Sequence, residues 1–302
     1  MKIAFLGSHE LGRITLEALV ETENKIAAVV TPAIDDEWYS GVEEVAGKYN
    51  LSCYQTENIN QKRFVNLFRK EDIDLIVSVN FNQILKKEII EVPQRGCINV
   101  HASLLPKYRG RAPLNWAIIN GEDKTGVTVH FIDEDIDTGD IILQRKIPIN
   151  HDDYISDIMT QVKEIYPEIV LDAIDKIKND AVVPESQKRE GFYCPKRSPE
   201  DGLIDWSKDS ADIYNLIRAV SHPYPGAFTY LEGDKVFIWR AELLPEKKEG
   251  SKNNTAKPGE IIDKTEQGYI VKCGQGEILL TEIESEVEIS LGDQFKKGNG
   301  GR

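Results

Sequence analysis

Five short apolar runs, at residues 2–7, 26–31, 74–80, 97–101 and 126–133, alternate with stretches of helical periodicity near 10–23, 40–49, 59–71 and 112–120. A β-branched run that is apolar along its whole length must be covered on both faces, and helices spaced between such runs supply the cover. The alternation predicts an α/β unit, a mostly parallel sheet covered by helices. Ile73-Asp-Leu-Ile-Val-Ser-Val-Asn80 is its clearest strand. A longer helical pattern from Asp153 to Asn179, with apolar positions at Ile155, Ile158, Val162, Ile169 and Ile174, is expected to pack across the sheet, and Pro167 to kink or split it.

After Pro184 the pattern changes. Pro184-Glu-Ser-Gln-Lys-Arg-Glu-Gly191 and Lys196-Arg-Ser-Pro-Glu-Asp-Gly202 are polar and turn-forming, which sets a first domain at 1–190, a linker at 191–204 and a second domain at 205–302. The second domain opens with a helix from Ala211 to Ser221 and passes His222-Pro-Tyr-Pro-Gly226, where His222 reads as structural. It continues with strand-like runs at 227–231, 235–243, 259–263, 268–273 and 277–283. Short strands at such close spacing predict a small open β-barrel. The segment from Glu246 to Thr255 reads as a mobile loop, and Lys296 to Arg302 as a frayed tail.

A formal net charge of −14 on 302 residues argues against a partner held by diffuse attraction to a polyanion. No apolar run approaches membrane-spanning length, and Glu10 and Arg13 cut the opening apolar segment shorter than a signal peptide, so a cytoplasmic location without membrane contact is expected. Cys53, Cys97, Cys194 and Cys273 are far apart in mostly apolar runs, which suggests four buried, reduced thiols rather than a metal pair or a disulfide framework.

The chemistry-bearing residues concentrate in two places. Asn99 and His101 are two apart on one short strand, hence on one face, where buried polar groups need partners or a task. Asp137, in Ile136-Asp-Thr-Gly-Asp140, follows the strand-like Thr125 to Asp133, so a loop there could return its carboxylate to His101. Lys107, Arg109 and Arg111 fall within five residues in an acidic chain, which points to one specific anion such as a nucleotide diphosphate. Gly7-Ser-His-Glu-Leu-Gly12 lacks both the dinucleotide fingerprint and the P-loop Lys-Ser/Thr. Ser8 reads there as a helix cap, with approach of Ser8 or His9 to an acceptor as the other reading.

Asn99-x-His101, then Ser103-Leu-Leu-Pro106, Arg109-Gly110 and Asp137-x-Gly139 beyond the next long strand, together resemble the active-site pattern of the folate-dependent formyltransferases, which carry a formyl group from N10-formyltetrahydrofolate to an amine. The resemblance runs from Met1 to about Leu244. Pro106-Lys-Tyr-Arg-Gly-Arg-Ala-Pro-Leu-Asn-Trp116, Ser8 to Gly12 and Trp38-Tyr-Ser-Gly-Val42 look most like the branch that formylates the 4-amino group of a UDP-linked 4-amino-4-deoxypentose. The resemblance implies a Rossmann-like catalytic domain followed by an OB-like barrel, N10-formyltetrahydrofolate as cosubstrate, and no metal. It implies that Gln83, Ile84 and Leu85 line the pterin slot largely through main-chain atoms, opposite the loop from Ile136 to Asp140. Ser8, His9, Lys107, Arg109, Arg111 and Asn115, with Trp116 beside them, then border the acceptor.

Formyl transfer needs an unprotonated amine, a donor for the oxyanion and a proton for the departing folate nitrogen. His101 suits either proton removal or, when protonated, donation to the oxyanion, and the sequence leaves both open. Asn99 offers an amide N–H, a kind of donor worth about 2.7–4 kcal/mol of barrier in other enzymes. Asp137 would orient the imidazole or hold a relaying water. The runner-up acceptor is methionyl-tRNA. Charge separates the two, since a tRNA binder needs a basic footprint, whereas the stretch from Glu277 to Asp293 and the loop Ala33-Ile-Asp-Asp-Glu-Trp-Tyr-Ser40 are acidic. A non-enzymatic folate-binding relative would be expected to lose one of Asn99, His101 or Asp137, and all three are present.

Overall fold

A computed structural model describes residues 1–34, 41–187, 191–245 and 255–298. The segments Trp38 to Ser40 and Glu246 to Asn254, singled out above, lie outside the described residues. The chain forms two compact units, one of Met1–Pro113, Lys124–Pro148 and Thr160–Cys194, the other of Leu114–Asp123, Ile149–Met159 and Pro195–Arg302. Residues 114–123 and 149–159, which a linear reading groups with the sheet, thus pack with the second unit.

In chain order the elements up to Cys194 are β1 (Lys2–Gly7), α1 (His9–Val20), β2 (Lys25–Pro32), α2 (Val42–Lys48), β3 (Cys53–Thr56), α3 (Lys62–Glu71), β4 (Leu75–Val79), α4 (Lys87–Ile90), β5 (Cys97–His101), β6 (Arg109–Gly110), α5 (Pro113–Ile119), β7 (Lys124–Phe131), β8 (Ile141–Pro148), α6 (Ile155–Lys178) and β9 (Tyr193–Cys194). The main sheet runs β3-β2-β1-β4-β5-β7-β8, parallel through β5 and antiparallel at β7 and β8. Two of its strands, β3 and β8, are missing from the sequence reading. Both are edge strands with polar positions (Cys-Tyr-Gln-Thr and Gln144-Arg-Lys146), so neither carries the fully apolar signature of a doubly covered strand.

The sheet reverses its winding between β1 and β4, which places a crevice at their carboxyl ends, where open α/β sheets bind ligands. Phe64 and Phe68 of α3 pack with Leu6, Val30, Ile59 and Ile76 in one buried cluster. At about 1.5–3 kcal/mol for each fully buried large apolar side chain, this cluster makes the strands a rigid base for the loops beyond them. α6 passes through Pro167 as one helix, so the proline does not split it. Cys97, Cys194 and Cys273 are buried, but Cys53, on the edge strand β3, is exposed, which corrects the expectation of four buried thiols.

The second unit holds α7 (Ser210–Val220) and the strands β10 (Ala227–Leu231), β11 (Asp234–Leu243), β12 (Ile261–Lys264), β13 (Tyr269–Lys272) and β14 (Glu277–Glu284), in the antiparallel order β10-β11-β14-β13-β12. Tyr230 of edge strand β10 bridges Lys296, and Glu260, next to edge strand β12, bridges Gln294. Residues 294–296 therefore join the two edges, and Phe295 stacks on Trp206 inside at 5.5 Å. Lys296 is thus paired through its N–H and carbonyl rather than frayed. His222 stacks on Trp239 at 3.9 Å, and Gly226 (φ 91°) leaves room for the same indole. Among the described residues no helix is long and apolar enough to cross a membrane.

Candidate active site

β5 carries Asn99 half-buried and His101 buried at its carboxyl end, and β7 pairs with it so that Asn99 faces His130 and His101 faces Thr128. The turn after β7 brings Asp137 (φ 54°) back over these strands with its side chain 11 % exposed. Its Oδ2 lies 3.6 Å from His101 Nδ1 and accepts the Gly110 N–H at 2.9 Å, while Oδ1 accepts from Asn99 Nδ2 at 3.4 Å and lies 3.6 Å from His130 Nε2. Burial acts to raise the Asp137 pKa, but the His101 charge, the His130 contact and the Gly110 N–H outweigh it and hold the carboxyl well below the usual carboxylate range. His101 Nε2 lies 2.7 Å from the Tyr108 carbonyl, which only accepts, so that nitrogen carries a proton and Nδ1 is the one turned to Asp137.

The loops that present these groups are tied down. Thr128 Oγ donates to Ser103 O at 2.6 Å, Gln144 Nε2 to Leu105 O at 2.8 Å, and β6 pairs with β9. Gln187 Nε2 donates to the carbonyls of Asp137 (2.9 Å) and Gly139 (2.8 Å), and its Oε1 accepts from Arg109 Nε and Nη2 at 3.1 and 2.7 Å. Arg109 is therefore not a free cation for an anionic substrate. It is 6 % exposed, and its guanidinium holds the glutamine that holds the Asp137 turn. Gln187→Leu removes that anchor, and kcat is expected to fall about tenfold or more while unfolding remains cooperative, measured by steady-state kinetics beside a melting curve.

The other residues singled out from the sequence divide. Ser8 occupies the N-cap position of α1, but its hydroxyl donates to Asn80 O at 2.6 Å instead of accepting a helix N–H, which joins the ends of β1 and β4. His9 sits at φ 62° at the start of α1. Lys107 and Arg111 are exposed, with Arg111 Nη2 at 3.5 Å from Asn82 O. Asn115, in the second unit, is 2 % exposed and gives its Nδ2 to Ala219 O at 2.8 Å, so its amide serves packing and is not offered to a ligand. Trp116 donates to Pro195 O at 3.1 Å under the Arg197 guanidinium.

On the side assigned to folate, Gln83 is engaged through its side chain, accepting Ile59 N–H and donating to Thr56 O, each at 2.7 Å. Leu85 is buried, while Ile84 and Ile136 are 58 % and 45 % exposed, apolar side chains open to solvent at two loop tips. Asp140 Oδ1 accepts from Ser186. A cleft of about 240 Å³ lined by Ala33, Ile34, Thr56, Glu57, Asn82 and Gln83 opens beyond β2, β3 and β4. No group of three or more metal-ligating side chains occurs among the described residues.

Residues 1–174 match the model of the formyl transferase family, and residues 196–299 that of the formyl transferase carboxyl-terminal domain. The chain belongs to the formyl transferase family. A methionyl-tRNA formyltransferase of Citrifermentans bemidjiense is 36 % identical to this formyl transferase over 95 % of the chain and 89 % of its own length. One of Caldanaerobacter subterraneus subsp. tengcongensis is 36 % identical over 97 % and 94 %. Among solved structures, WlaRD, a sugar 3N-formyl transferase, superimposes with a TM-score of 0.68 at 24 % identity, covering 93 % of this chain and 97 % of its own. An N-formyltransferase from Helicobacter canadensis in complex with folinic acid and dTDP-3-aminofucose gives 0.66 at 22 %, covering 93 % and 99 %.

The sequence reading of this formyl transferase missed His130 and Gln187, both in contact with the Asp137 turn. For His130 a signal existed, because the strand Thr125-Gly-Val-Thr-Val-His-Phe buries one polar aromatic among apolar neighbours. For Gln187 none did, since it sits in the polar stretch after Pro184 that resembles a linker.

Proposed function

We propose that this chain transfers the formyl group of N10-formyltetrahydrofolate to the amine of a nucleotide-linked amino sugar, a UDP-4-amino-4-deoxy sugar in the first instance. The observation that carries the transfer is the convergence of Asn99, His101 and Asp137 at the ends of β5 and β7 on a buried carboxylate. In this reading the amine attacks the formyl carbon, a C–N bond forms, and the carbonyl oxygen takes the negative charge beside the Asn99 amide. The amine's proton passes to the pair formed by His101 Nδ1 and Asp137, and the same proton serves the folate nitrogen as its bond to the formyl carbon breaks. Asp137 supports the imidazolium at that moment. Ile84 and Ile136 supply exposed apolar surface suited to a pterin and its aryl tail.

The acceptor rests on charge. Arg111 is exposed, as is Lys107, in a chain of formal charge −14. Residues 277–293 carry Glu277, Glu282, Glu284, Glu286, Glu288 and Asp293 and no Lys or Arg. A compact pair of cations matches a diphosphate, whereas tRNA needs many phosphate contacts. The relatives named methionyl-tRNA formyltransferase, at 34–36 % identity, support the second reading, charged tRNA as acceptor. The test is formyl transfer to a panel of 4-amino and 3-amino sugar nucleotides with methionyl-tRNA alongside. Product from sugar nucleotides alone supports the first reading, and product from tRNA alone replaces it with the second. In the first case Arg111→Ala raises the sugar-nucleotide KM about tenfold or more and leaves folate binding intact. Loss of folate binding alone would contradict this assignment of Arg111.

A further inference from the structure

We propose that His130 is a positioning residue for formyl transfer, fixing the direction of the Asn99 amide and the Asp137 carboxylate. The inference rests on the transfer reading of the site. It starts from the ring's hydrogen-bond roles, which the backbone dictates. Nδ1 of His130 lies 2.7 Å from the Phe131 carbonyl, and a carbonyl only accepts, so Nδ1 carries the proton. Nε2 is left facing Asn99 Nδ2 at 3.3 Å and Asp137 Oδ1 at 3.6 Å.

The state of that nitrogen decides what the amide offers. When His130 is uncharged, its Nε2 lone pair accepts one Asn99 hydrogen and Asp137 Oδ1 takes the other at 3.4 Å, so both amide hydrogens are consumed. When His130 is protonated, Nε2–H donates to Asp137 Oδ1 and no lone pair remains for Asn99. One amide hydrogen is then released to an oxyanion. The arrangement mirrors His101, whose Nε2–H is held by Tyr108 O and whose Nδ1 faces the other carboxylate oxygen at 3.6 Å. With an imidazole on each oxygen and the Gly110 N–H on Oδ2, the carboxylate cannot turn about its Cβ–Cγ bond without losing all three partners. His130 is 2 % exposed, so it acts through Asn99 and Asp137. The titratable groups around it are Asp137 from the turn after β7, His101 from β5 beyond that carboxylate, and buried Tyr166 of α6, which feels the Asp137 charge.

The experiment compares the full-length chain with His130→Leu and His130→Gln. Leucine fills the space without a polar atom, whereas glutamine presents either an acceptor to Asn99 or a donor to Asp137. The expected result for His130→Leu is a kcat lower by about 10- to 100-fold, the range seen when an orienting partner of a reactive group is removed, with KM for both substrates little changed and the pH profile of kcat altered. His130→Gln restores most of the rate. A merely structural histidine would lower the melting temperature in both variants and leave kcat per folded molecule and its pH profile unchanged, and that result overturns the proposal. Should His130→Leu not fold, nitrogen-15 shifts of the wild-type histidines decide: Nδ1 protonated with Nε2 titrating is required, and the opposite tautomer overturns the assignment. Should the wild-type chain formylate no acceptor, the transfer reading fails, while the nitrogen shifts still decide the ring's placement.

Discussion

Asp137→Asn is expected to lower kcat by roughly three to four orders of magnitude, as replacement of a histidine-orienting aspartate does where shape is kept and charge is lost. The amide retains the volume but presents an NH₂ to one of two imidazoles that are already committed as donors elsewhere, His101 through Nε2 and His130 through Nδ1. The carboxylate that supports a charged His101 is then gone, and the proton taken from the amine has no counter-charge. Pre-steady-state formyl transfer with circular dichroism on the same sample checks this, and a rate within tenfold of wild type would remove Asp137 from the chemistry.

The same substitution carries a pH signature. The Asp137 pKa is depressed in the folded chain, because the pull of His101, His130 and the Gly110 N–H exceeds the cost of burial. A depressed carboxyl adds stability that is fully present above its unfolded pKa, about 3.9, and is lost as pH falls below that value. Wild-type stability should therefore decline through the acid range more steeply than that of Asp137→Asn, and chemical denaturation at a series of acid pH values reads the difference.

Gly139→Ala is expected to produce the second largest effect. A Cβ at Gly139 would run into the carbonyl oxygen of Phe131, with the carbonyl carbon at 2.7 Å. That obstacle is backbone, held where Phe131 N–H donates to Asp140 O at 2.9 Å, and cannot swing aside like a flexible side chain. The turn has to shift, which moves Asp137 off His101 and pulls the Gly139 carbonyl from Gln187. A loss of about 1–3 kcal/mol of stability is anticipated from such overpacking, and kcat should fall by about 100-fold, since an ångström of misplacement at a reacting group costs that much. A variant with normal kcat and melting temperature would mean that the turn accommodates the methyl group.

The division between what was legible and what was not follows the range of the interactions. β1, β2, β4, β5 and β7 of the main sheet and all five barrel strands were readable, because burial on both faces, or close spacing between turn residues, is written in neighbouring positions. β3 and β8 escaped because an edge strand needs no continuous apolar run. The pairing of Asn99 with His101 followed from strand period alone, and the family pattern extended it to Asp137.

Charge misled at Arg109 and Asn115. Three cations within five residues look equivalent in a sequence, yet β6 turns Arg109 inward to Gln187 while Arg111 is left exposed. Asn115 is spent on Ala219, a residue more than a hundred positions away. The sequence by itself determined the sheet-forming runs, the barrel strands and the presence of an amide, an imidazole and a carboxylate at the right spacing, since these depend on local period and residue type. Only the tertiary structure decided that the carboxylate meets two imidazoles, that a glutamine from the stretch after Pro184 holds its turn, and that one arginine is structural. Those outcomes depend on hydrogen bonds between residues 7 to 78 positions apart, whose partners no local pattern encodes.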